Sequence, residues 1–290
     1  MPMMDGKICM VTGATSGIGY YTALEIAKMG ASVIVVGRNQ AKCDNTVDQI
    51  RSESNNQSVE YLLADLSSQV QVRDIARQFL DRHDHLDVLV NNAGGAFLFR
   101  KLSVDGLEMT FATNHLAYFL LTLLLVDALK SSPSARVINV SSGSHHGGQL
   151  DFNDLQSKRF YNPATAYGRS KLANVLFTYE LARRVAGTKI TANALTPGLV
   201  ATDIWKKVHP WLTPLIYPVI ERFGMSPLEG AQTSIYLATS PEVEGVTGKY
   251  FVDKHPVSTS PESYDSEAGK KLWQASLDLV SLSDIPNLSG

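Results

Sequence analysis

The sequence predicts an α/β fold in which a doubly wound parallel sheet carries helices on both faces. Short, continuously apolar runs rich in Val and Ile alternate with longer stretches of helical period, and the links between them are short. Such apolar runs suit strands that are buried on both faces. No internal repeat or low-complexity linker divides the chain, so we expect a single domain over residues 1–290.

The predicted strands begin almost at the N-terminus. In chain order they are KICMVT, SVIVVG, VEYLLA, LDVLVN, RVINVS, KITANAL and GKYFVD. The predicted helices lie between them, at residues 17–29, 40–53, 68–82, 103–130, 163–186 and 226–239. Right-handed crossovers between parallel strands then place helices on both faces of the sheet. The alternation breaks at 143–165 and 199–225, and the tail after 253 is irregular until a short amphipathic helix near 266–280.

Composition argues against several classes of protein. A formal charge of −2 without any basic run gives no reason to expect a nucleic-acid partner. The most apolar run, 116–126, is shorter than the ~20 residues of a membrane span, and we expect neither a signal peptide nor a transmembrane anchor. Cys9 in a buried strand and Cys43 at an exposed helix start form no disulfide framework, so we expect a reducing, cytoplasmic location. The adjacent His145 and His146 have no second ligand cluster nearby, and we expect no metal site.

A glycine-rich turn, TGATSGIG, follows the first predicted strand and opens the first predicted helix. This order of elements places a helix N-terminus against a pyrophosphate. We expect Gly13 to permit the tight turn. Gly17 and Gly19 should let the backbone approach a phosphate and let the helix pack on the sheet. The alternative is an ordinary turn between a strand and a helix.

A second motif, AYGRSKLAN, places Tyr167 and Lys171 four positions apart. On a helix the two side chains share a face, with Cβ atoms ~5–6 Å apart. A free phenol has a pKa near ~10, a poor match for proton transfer at neutral pH, and a neighbouring ammonium lowers that value. Taken alone, the nine residues are equally compatible with an ordinary surface pair.

The spacing T-G-x-x-x-G-x-G resembles that of the short-chain dehydrogenases/reductases, and further motifs of that family follow in order between residues 5 and 252. They are LADL, NNAG, TNHLAYFLLT, INVSS, YGRSK and TPGLVAT. The resemblance implies a Rossmann-type oxidoreductase that binds a nicotinamide dinucleotide, with Asp65 at the adenine. It implies cofactor contacts from Gly13, Thr15, Ser16, Gly17, Ile18, Gly19, Arg38, Asn39, Asp65, Leu66, Asn92, Ala93, Gly94, Tyr167, Lys171, Pro197, Gly198, Val200 and Thr202.

The same resemblance implies the catalytic residues Asn114, Ser142, Tyr167 and Lys171. Tyr167 would be the proton donor, and Lys171 would lower its pKa and bind the nicotinamide ribose. Ser142 would hold the substrate oxygen, and Asn114 a water that links Lys171 to solvent. Ser141 competes with Ser142, but the family pattern favours the second serine, and strand alternation turns the two side chains to opposite faces. The alternative for Asn114 is an ordinary buried helix residue.

The end of the second strand, VVGRN, bears on the choice of cofactor. NAD enzymes usually have an acidic residue there, which accepts from the ribose 2′-hydroxyl. Gly37 removes the repulsion that a carboxylate exerts on a 2′-phosphate, and Arg38 offers a charge and forked donors. We therefore expect NADP rather than NAD. The alternative is that Arg38 is only a solvated loop cation.

The long gap between Ser142 and Tyr167, and the segment 229–253, resemble the retinol dehydrogenase branch of the family. That implies a small lipophilic alcohol, aldehyde or ketone as substrate, retinoids included. Residues 199–225 are expected to form a substrate lid, and the apolar side chains of this segment indicate a greasy cleft. The segment could instead pack on the body or on another subunit, or contact a membrane surface through Trp205, Lys206, Lys207 and Trp211.

We therefore predict an NADP-dependent oxidoreductase that interconverts a lipophilic alcohol and its aldehyde or ketone. One alternative is a non-catalytic NADP sensor or scaffold on the same fold, against which the intact catalytic set argues. Another is an epimerase or dehydratase on the related extended fold, which usually needs a larger C-terminal domain. By analogy with relatives that pair through the helices beginning near 103 and 163, we also expect a homo-oligomer.

Overall fold

The computed structural model describes residues 3–198, 200, 224–283 and 287–289. Within them one sheet has the strand order β3-β2-β1-β4-β5-β6-β7-β8, with all neighbours parallel except β7 and β8. The strands are β1 (Ile8–Thr12), β2 (Ser32–Gly37), β3 (Val59–Leu63), β4 (Val88–Asn91), β5 (Ala135–Val140), β6 (Ile190–Leu195), β7 (Tyr250–Val252) and β8 (His255–Val257). The predicted doubly wound sheet is confirmed, and the sequence missed only the short antiparallel β8.

Most of the described helices agree with the predicted ones to within a few residues. They are α1 (Gly17–Lys28), α2 (Gln40–Ser54), α3 (Gln69–Leu80), α4 (Met109–Phe111), α5 (Ala117–Leu124), α6 (Val126–Ser131), α7 (Pro163–Arg184), α8 (Pro227–Thr239) and α9 (Ser266–Leu279). Short 3₁₀ turns cover Gly143–Gly147, Pro241–Val243 and Pro261–Tyr264.

The single helix predicted over 103–130 is wrong. The chain first makes a turn in which Ser103 N–H donates to the Leu107 carbonyl, and the helix begins only after Glu108. The Glu108 carboxylate caps it by accepting from the N–H groups of Thr110 and Phe111. A π-helical turn then covers Ala112–Leu116, and a further break separates α5 from α6. Hydrophobic periodicity does not reveal such changes of winding.

Two apolar layers enclose the sheet. On one face Met10 and Leu89 join a cluster with α3, α5, α7 and α9. On the other face Val11 and Val90 join a cluster with α1, α2 and α8. Each fully buried side chain of this size contributes ~1.5–3 kcal/mol relative to an exposed one. The two layers therefore explain the continuously apolar strands and hold the sheet's carboxyl edge in place.

One expectation about a single residue needs correction. Cys43 is buried rather than exposed, because α2 turns its side chain towards the end of β2. Gly37 packs so closely there that a Cβ added to it would lie 2.6 Å from Cys43 Sγ. Of the expected substrate lid, only Val200 and 224–225 belong to the described residues. Thr202 and the apolar and basic residues of 204–223 lie outside them.

No described helix has the length and apolar content that a bilayer crossing requires. Nor do the described residues gather three or more His, Cys, Asp or Glu side chains around one point where a metal ion could bind.

Candidate active site

The glycine-rich turn fits closely against the NNAG segment that follows β4. Gly13 has a φ of +66°, and a Cβ added to it would lie 2.8 Å from Ala93 Cα. A Cβ on Gly19 would lie 2.5 Å from both Asn92 Nδ2 and the Gly13 carbonyl oxygen. Asn92 Nδ2 in turn donates to the Thr12 carbonyl at 2.8 Å. Close packing therefore requires Gly13 and Gly19, and NNAG holds the turn in place.

Gly17 has a different role, because it faces open space. Its φ is +58°, in the left-handed region, and a Cβ there would meet no atom within 4 Å. The preceding Ser16 makes no side-chain cap hydrogen bond to α1. The first N–H groups of α1 and the positive end of its dipole therefore face a space that a Cβ would narrow, which fits a pyrophosphate.

The end of β2 shows which groups could meet the adenosine half of a dinucleotide. A Cβ on Gly37 would lie 2.6 Å from Thr15 Cγ2 as well as from Cys43, so a carboxylate side chain has no room there. Arg38 is exposed and forms no ion pair with any residue of the described ranges. Asn39 is already used in part, because its side chain caps α2 by accepting from Lys42 N–H at 3.0 Å.

The LADL segment continues this side of the cleft. Asp65 Oδ1 accepts from the N–H and hydroxyl of Ser67 at 3.0 and 2.8 Å. Leu66 is buried and joins the core cluster on the α3 face, so its side chain has a packing role.

The segment after β6 returns to the glycine-rich turn. Gly198 has a φ of +79°, and Val200 pairs as an isolated bridge with Met225. A Cβ added to Gly230 of α8 would lie 2.5 Å from Val200 and 3.4 Å from Ile18. Val200 therefore lies beside the start of α1, and Pro197, three positions before it, is half-buried.

The two serines after β5 point in opposite directions. Ser141 is buried, and its hydroxyl donates to the Lys171 carbonyl oxygen at 2.8 Å. Ser142 is half-buried, and its hydroxyl accepts from Ser144 N–H at 3.2 Å, capping the 3₁₀ turn. The Ser142 hydroxyl also acts on the Tyr167 phenol, where it lowers the pKa. Of the pair, Ser142 is the serine that faces the phenol.

Tyr167 and Lys171 lie on adjacent turns of α7, as their spacing predicts. Lys171 Nζ is 5.6 Å from the centre of the Tyr167 ring and donates to the Val140 carbonyl at 3.0 Å. Burial raises the pKa of Tyr167, against the smaller effect of Ser142. Burial also lowers the pKa of Lys171 to about 7. The lowered phenol pKa that the sequence led us to expect is therefore absent from the protein alone, because desolvation opposes both charged forms.

Asn114 lies within the π-helical turn, a kind of bulge that is frequent at functional sites. Its Oδ1 accepts from Gly95 N–H at 2.8 Å, and its Nδ2 donates to the Gly95 carbonyl at 2.9 Å and to Ser170 Oγ at 2.9 Å. Ser170 Oγ donates onward to the Tyr167 carbonyl at 2.7 Å. The asparagine is thus tied both to the loop after NNAG and to the helix that carries Tyr167.

The polar groups of Asn114 and Lys171 meet at Gly94. A Cβ added to it would lie 3.3 Å from Asn114 Oδ1 and 3.5 Å from Lys171 Nζ. Any side chain at this position would therefore lie directly against both polar groups. The structure therefore brings the NNAG glycine, the asparagine and the lysine together beside Tyr167.

Three further polar residues support the site and were not identified from the sequence. Ser170 connects Asn114 to α7, as described above. The buried His145 has Nδ1 2.8 Å from the Ser142 carbonyl oxygen and so fixes the loop that carries Ser142. His115 Nε2 lies 2.9 Å from Ser276 Oγ of α9. Ser170 is one turn from Tyr167 within YGRSK, a spacing that could have indicated it; the bond from His115 to α9 has no local signal.

Comparison with known proteins gives a consistent result. The family model for short chain dehydrogenases matches residues 7–213. The chain is 43% identical to Retinol dehydrogenase 14 of Mus musculus, over 97% of this chain and 87% of that protein. It is 40% identical to Polyprenol dehydrogenase of Homo sapiens, over 98% of this chain and 88% of that protein.

Solved structures agree in fold. A putative uncharacterized protein from Mycobacterium Paratuberculosis is 31% identical, with a TM-score of 0.78 over 96% of this chain and 94% of that one. The Pseudomonas aeruginosa RhlG/NADP active-site complex is 26% identical, with a TM-score of 0.69 over 86% and 96%. The chain therefore belongs to the short chain dehydrogenase family, within which it is an NAD(P)-dependent oxidoreductase of the retinol dehydrogenase branch.

Proposed function

We propose that this oxidoreductase interconverts a lipophilic alcohol and its aldehyde or ketone with NADP, and that Tyr167 is its general acid or base. The observation that carries the proposal is the convergence of Asn114, Tyr167 and Lys171 around Gly94, with Ser142 facing the phenol. The cluster lies at the carboxyl edge of β4 and β5, next to the point between β1 and β4 where the strand order reverses. Ligands of open α/β sheets bind at that place.

Reduction of a carbonyl needs a hydride and a proton, and bound NADPH supplies the hydride. The Ser142 hydroxyl would donate a hydrogen bond to the substrate oxygen and orient it. Tyr167 would give its proton to that oxygen as negative charge develops there. Because burial raises the pKa of Tyr167, the phenol keeps its proton at neutral pH, as a proton donor must.

Lys171 and Asn114 would act on the phenol after it has donated. A protonated Lys171, 5.6 Å from the ring centre, stabilises the phenolate by charge. Asn114 Oδ1 accepts one hydrogen bond, from Gly95, and an amide oxygen has two lone pairs. We propose that the phenolate regains its proton by way of Lys171, and that the second lone pair of Asn114 Oδ1 holds a water through which Lys171 then recovers a proton from solvent.

The preference for NADP rests on the end of β2. Gly37 has no room for the carboxylate that would accept from a ribose 2′-hydroxyl, and the unpaired Arg38 is exposed next to it. A forked cation at this position suits a 2′-phosphate. The similar RhlG structure is named as an NADP complex, which supports the same choice.

The substrate class rests on the relatives. Retinol and polyprenol, for which the two relatives are named, are both long, apolar alcohols. We propose a substrate of that chemistry, with 199–225 as the lid that covers it. The lid is proposed from its position in the chain directly after Pro197 and Gly198.

The experiment is a substrate panel followed by the loss of NADPH absorbance, run with retinal, other lipophilic aldehydes and ketones, and both reduced cofactors. Tyr167→Phe should lower turnover by ~10²–10⁴-fold, the usual contribution of a positioned general acid. NADPH affinity, measured by protein fluorescence, should stay within about twofold because the phenyl ring remains. Tyr236→Phe, the same change at a half-buried tyrosine of α8 that is not among the predicted site residues, should leave turnover unaltered.

Two outcomes would contradict the proposal. One is protein that binds NADPH but turns over no member of the panel, which would favour the sensor or scaffold alternative. The other is a Tyr167→Phe variant with turnover close to that of the unaltered protein.

A further inference from the structure

Two loops beside the candidate site expose aromatic and basic side chains together. The first, 97–104, follows the Gly94–Gly95 turn, and the second, 156–161, leads into α7. Phe99 is 73% exposed and Phe160 79%, the largest values among the described phenylalanines. We define the rim as the six side chains Phe99, Arg100, Lys101, Lys158, Arg159 and Phe160.

The rim concentrates positive charge on a chain whose net charge is −2. Neither loop contains a carboxylate, and no rim cation forms an ion pair with a carboxylate of the described ranges. The flanking acids already accept backbone hydrogen bonds. Asp154 accepts from the N–H groups of Lys158 and Arg159, and Asp105 accepts from Gln69 N–H. The cationic heads of Lys101, Lys158 and Arg159 are exposed and therefore available to an external anion, whereas Arg100 is half-buried.

The two loops are bonded to each other and to the helix that carries Tyr167. The Tyr161 hydroxyl donates to the Phe97 carbonyl at 2.6 Å, and Arg100 Nε donates to the Gln156 carbonyl at 3.0 Å. Arg169 of α7 donates to the Asp154 carbonyl at 2.9 Å. Arg100 adjoins Phe99 and Tyr161 adjoins Phe160, so these bonds hold the chain segments that carry the two exposed rings next to each other before any partner arrives. Less entropy is then lost on binding.

We propose that the rim docks the enzyme on a lipid bilayer that contains anionic headgroups. Exposed rings next to unpaired Lys and Arg side chains suit such a surface. The rings can enter the boundary between headgroups and acyl chains, and the cations can contact lipid phosphates. A protein partner would need an acidic face with two apolar pockets at matching positions. A bilayer offers anionic charge and apolar depth at every position.

Docking through the rim would also place the candidate active site next to the lipid bilayer, in which an apolar alcohol dissolves. Phe99 follows the Gly94–Gly95 turn by four residues, and Phe160 lies shortly before α7, which carries Tyr167. The substrate would then enter from the membrane across the rim. This last step rests on the proposed function, whereas docking itself rests only on the rim.

The test is flotation of the full chain with phosphatidylcholine vesicles, with and without phosphatidylserine. We expect binding only to the anionic vesicles, with release at high salt. Lys101→Ser/Lys158→Ser should weaken binding by roughly 30-fold, as expected for two cations at an anionic surface. Phe99→Ser/Phe160→Ser should weaken it by at least ~10-fold. Matched controls with the same kinds of change elsewhere, Leu63→Ser/Val70→Ser and Lys189→Ser/Lys270→Ser, should bind as the unaltered protein does.

An enzymatic readout separates docking from catalysis. Phe99→Ser/Phe160→Ser should reduce a water-soluble aldehyde at the unaltered rate and lose most of its rate on an aldehyde held in anionic vesicles. Failure of the proposed function would remove both rates and leave the flotation result standing. Vesicle binding that is equal in rim and control variants would overturn the proposal. The proposal would also be overturned if the protein bound no vesicles and the Phe99→Ser/Phe160→Ser variant had a lower mass by sedimentation than the unaltered protein. That result would assign the rim to a contact between copies of this chain.

Discussion

Lys171 Nζ lies 5.6 Å from the centre of the Tyr167 ring and 3.0 Å from the Val140 carbonyl oxygen. The lysine is 3% exposed, and within the described residues its ammonium donates to that neutral carbonyl, so burial lowers its pKa to about 7. Its charge therefore depends on what occupies the cleft. An anion or a hydroxyl acceptor near Nζ favours the ammonium and raises the pKa.

Lys171 should couple cofactor binding to proton uptake. Above about pH 7 most of the lysine is neutral in the free enzyme, and an anionic cofactor raises its pKa. We expect binding of NADPH to take up close to one proton at about pH 8 and much less at about pH 6. Calorimetry in buffers of different ionisation enthalpy measures the number directly.

Lys171→Met should abolish this uptake, and the exposed Lys189→Met should retain it. A methionine keeps the length and apolar stem of the side chain without the titrating group. Equal proton uptake by the Lys171→Met variant and the unaltered enzyme would show that another group titrates.

Substitutions in the glycine-rich turn should distinguish a glycine needed for NADPH binding from one needed for packing. Gly17→Ala adds a methyl group that meets no protein atom, at a cost of ~1–2 kcal/mol for the left-handed backbone. We expect it to weaken NADPH binding by at least ~10-fold, or ~1.4 kcal/mol, because the methyl narrows the space at the N-terminus of α1. Fluorescence titration measures the affinity and urea unfolding the stability.

Gly19→Ala is the matched comparison. Its Cβ would lie 2.5 Å from Asn92 Nδ2 and the Gly13 carbonyl, so overpacking should cost ~1–3 kcal/mol or more of unfolding free energy. We expect Gly19→Ala to lose more unfolding free energy than Gly17→Ala. We expect Gly17→Ala to lose more NADPH affinity for each kcal/mol of unfolding free energy that it loses. Unchanged affinity in Gly17→Ala would remove this turn from the cofactor site.

Local spacing predicted those parts of the fold and site that are themselves local. Three features depend only on residues that are close together in the sequence. They are the glycine-rich turn, each apolar strand and the shared face of Tyr167 and Lys171. These features are consequently visible in short windows of sequence.

Features that depend on distant contacts were missed. The π turn around Asn114 is held by Gly95 and Ser170, the latter 56 positions away along the chain. Cys43 is buried because Gly37 of another element lacks a side chain. The bond between His115 and Ser276 spans 161 positions. No short window around Asn114 or His115 contains Ser170 or Ser276, so periodicity and propensity carry no information about these two contacts. Cys43 and Gly37 are only six positions apart (43 − 37 = 6), but their contact joins a helix to a strand, and the period of neither element predicts it.

Asp87 should make the fold sensitive to acid. Its carboxylate is almost fully buried and accepts from Lys7 Nζ at 2.9 Å, Ile8 N–H at 2.8 Å and Ser132 Oγ at 2.7 Å. Burial alone would raise the pKa of Asp87, but these hydrogen bonds and the Lys7 charge outweigh it, and the pKa lies below its ordinary value. The resulting stability is present above the unfolded-state pKa of ~3.9 and is lost as pH falls through the folded-state pKa.

Asp87→Asn should therefore flatten the dependence of unfolding free energy on pH below about pH 4. At neutral pH we expect it to cost ~1–3 kcal/mol, because an amide accepts at one atom only. Urea unfolding across this pH range measures both effects. Asp74→Asn, at an exposed ion pair on α3, is the control and should change neither by more than ~0.5 kcal/mol. An acid dependence that survives in Asp87→Asn would place its origin in another carboxylate.

Arg38 should set the preference between the two nicotinamide cofactors. The residue is exposed and unpaired within the described ranges, so Arg38→Asp has room for its carboxylate without disturbing β2. Position 37 does not offer that freedom, because a Cβ there would lie 2.6 Å from both Thr15 and Cys43. Loss of the guanidinium, together with repulsion of a 2′-phosphate, should lower the ratio of kcat/KM for NADPH to that for NADH by ~10- to 100-fold.

Arg77→Asp serves as the control for this change, since it alters the net charge equally on an exposed part of α3. If long-range charge alone set the preference, both variants would shift the ratio alike, whereas a contact with the 2′-phosphate predicts a shift in Arg38→Asp only. A ratio that stays constant in Arg38→Asp would mean that the end of β2 does not read the 2′ position. The lack of space for a side chain at Gly37 would then result from packing against Cys43 alone and would not indicate which cofactor binds.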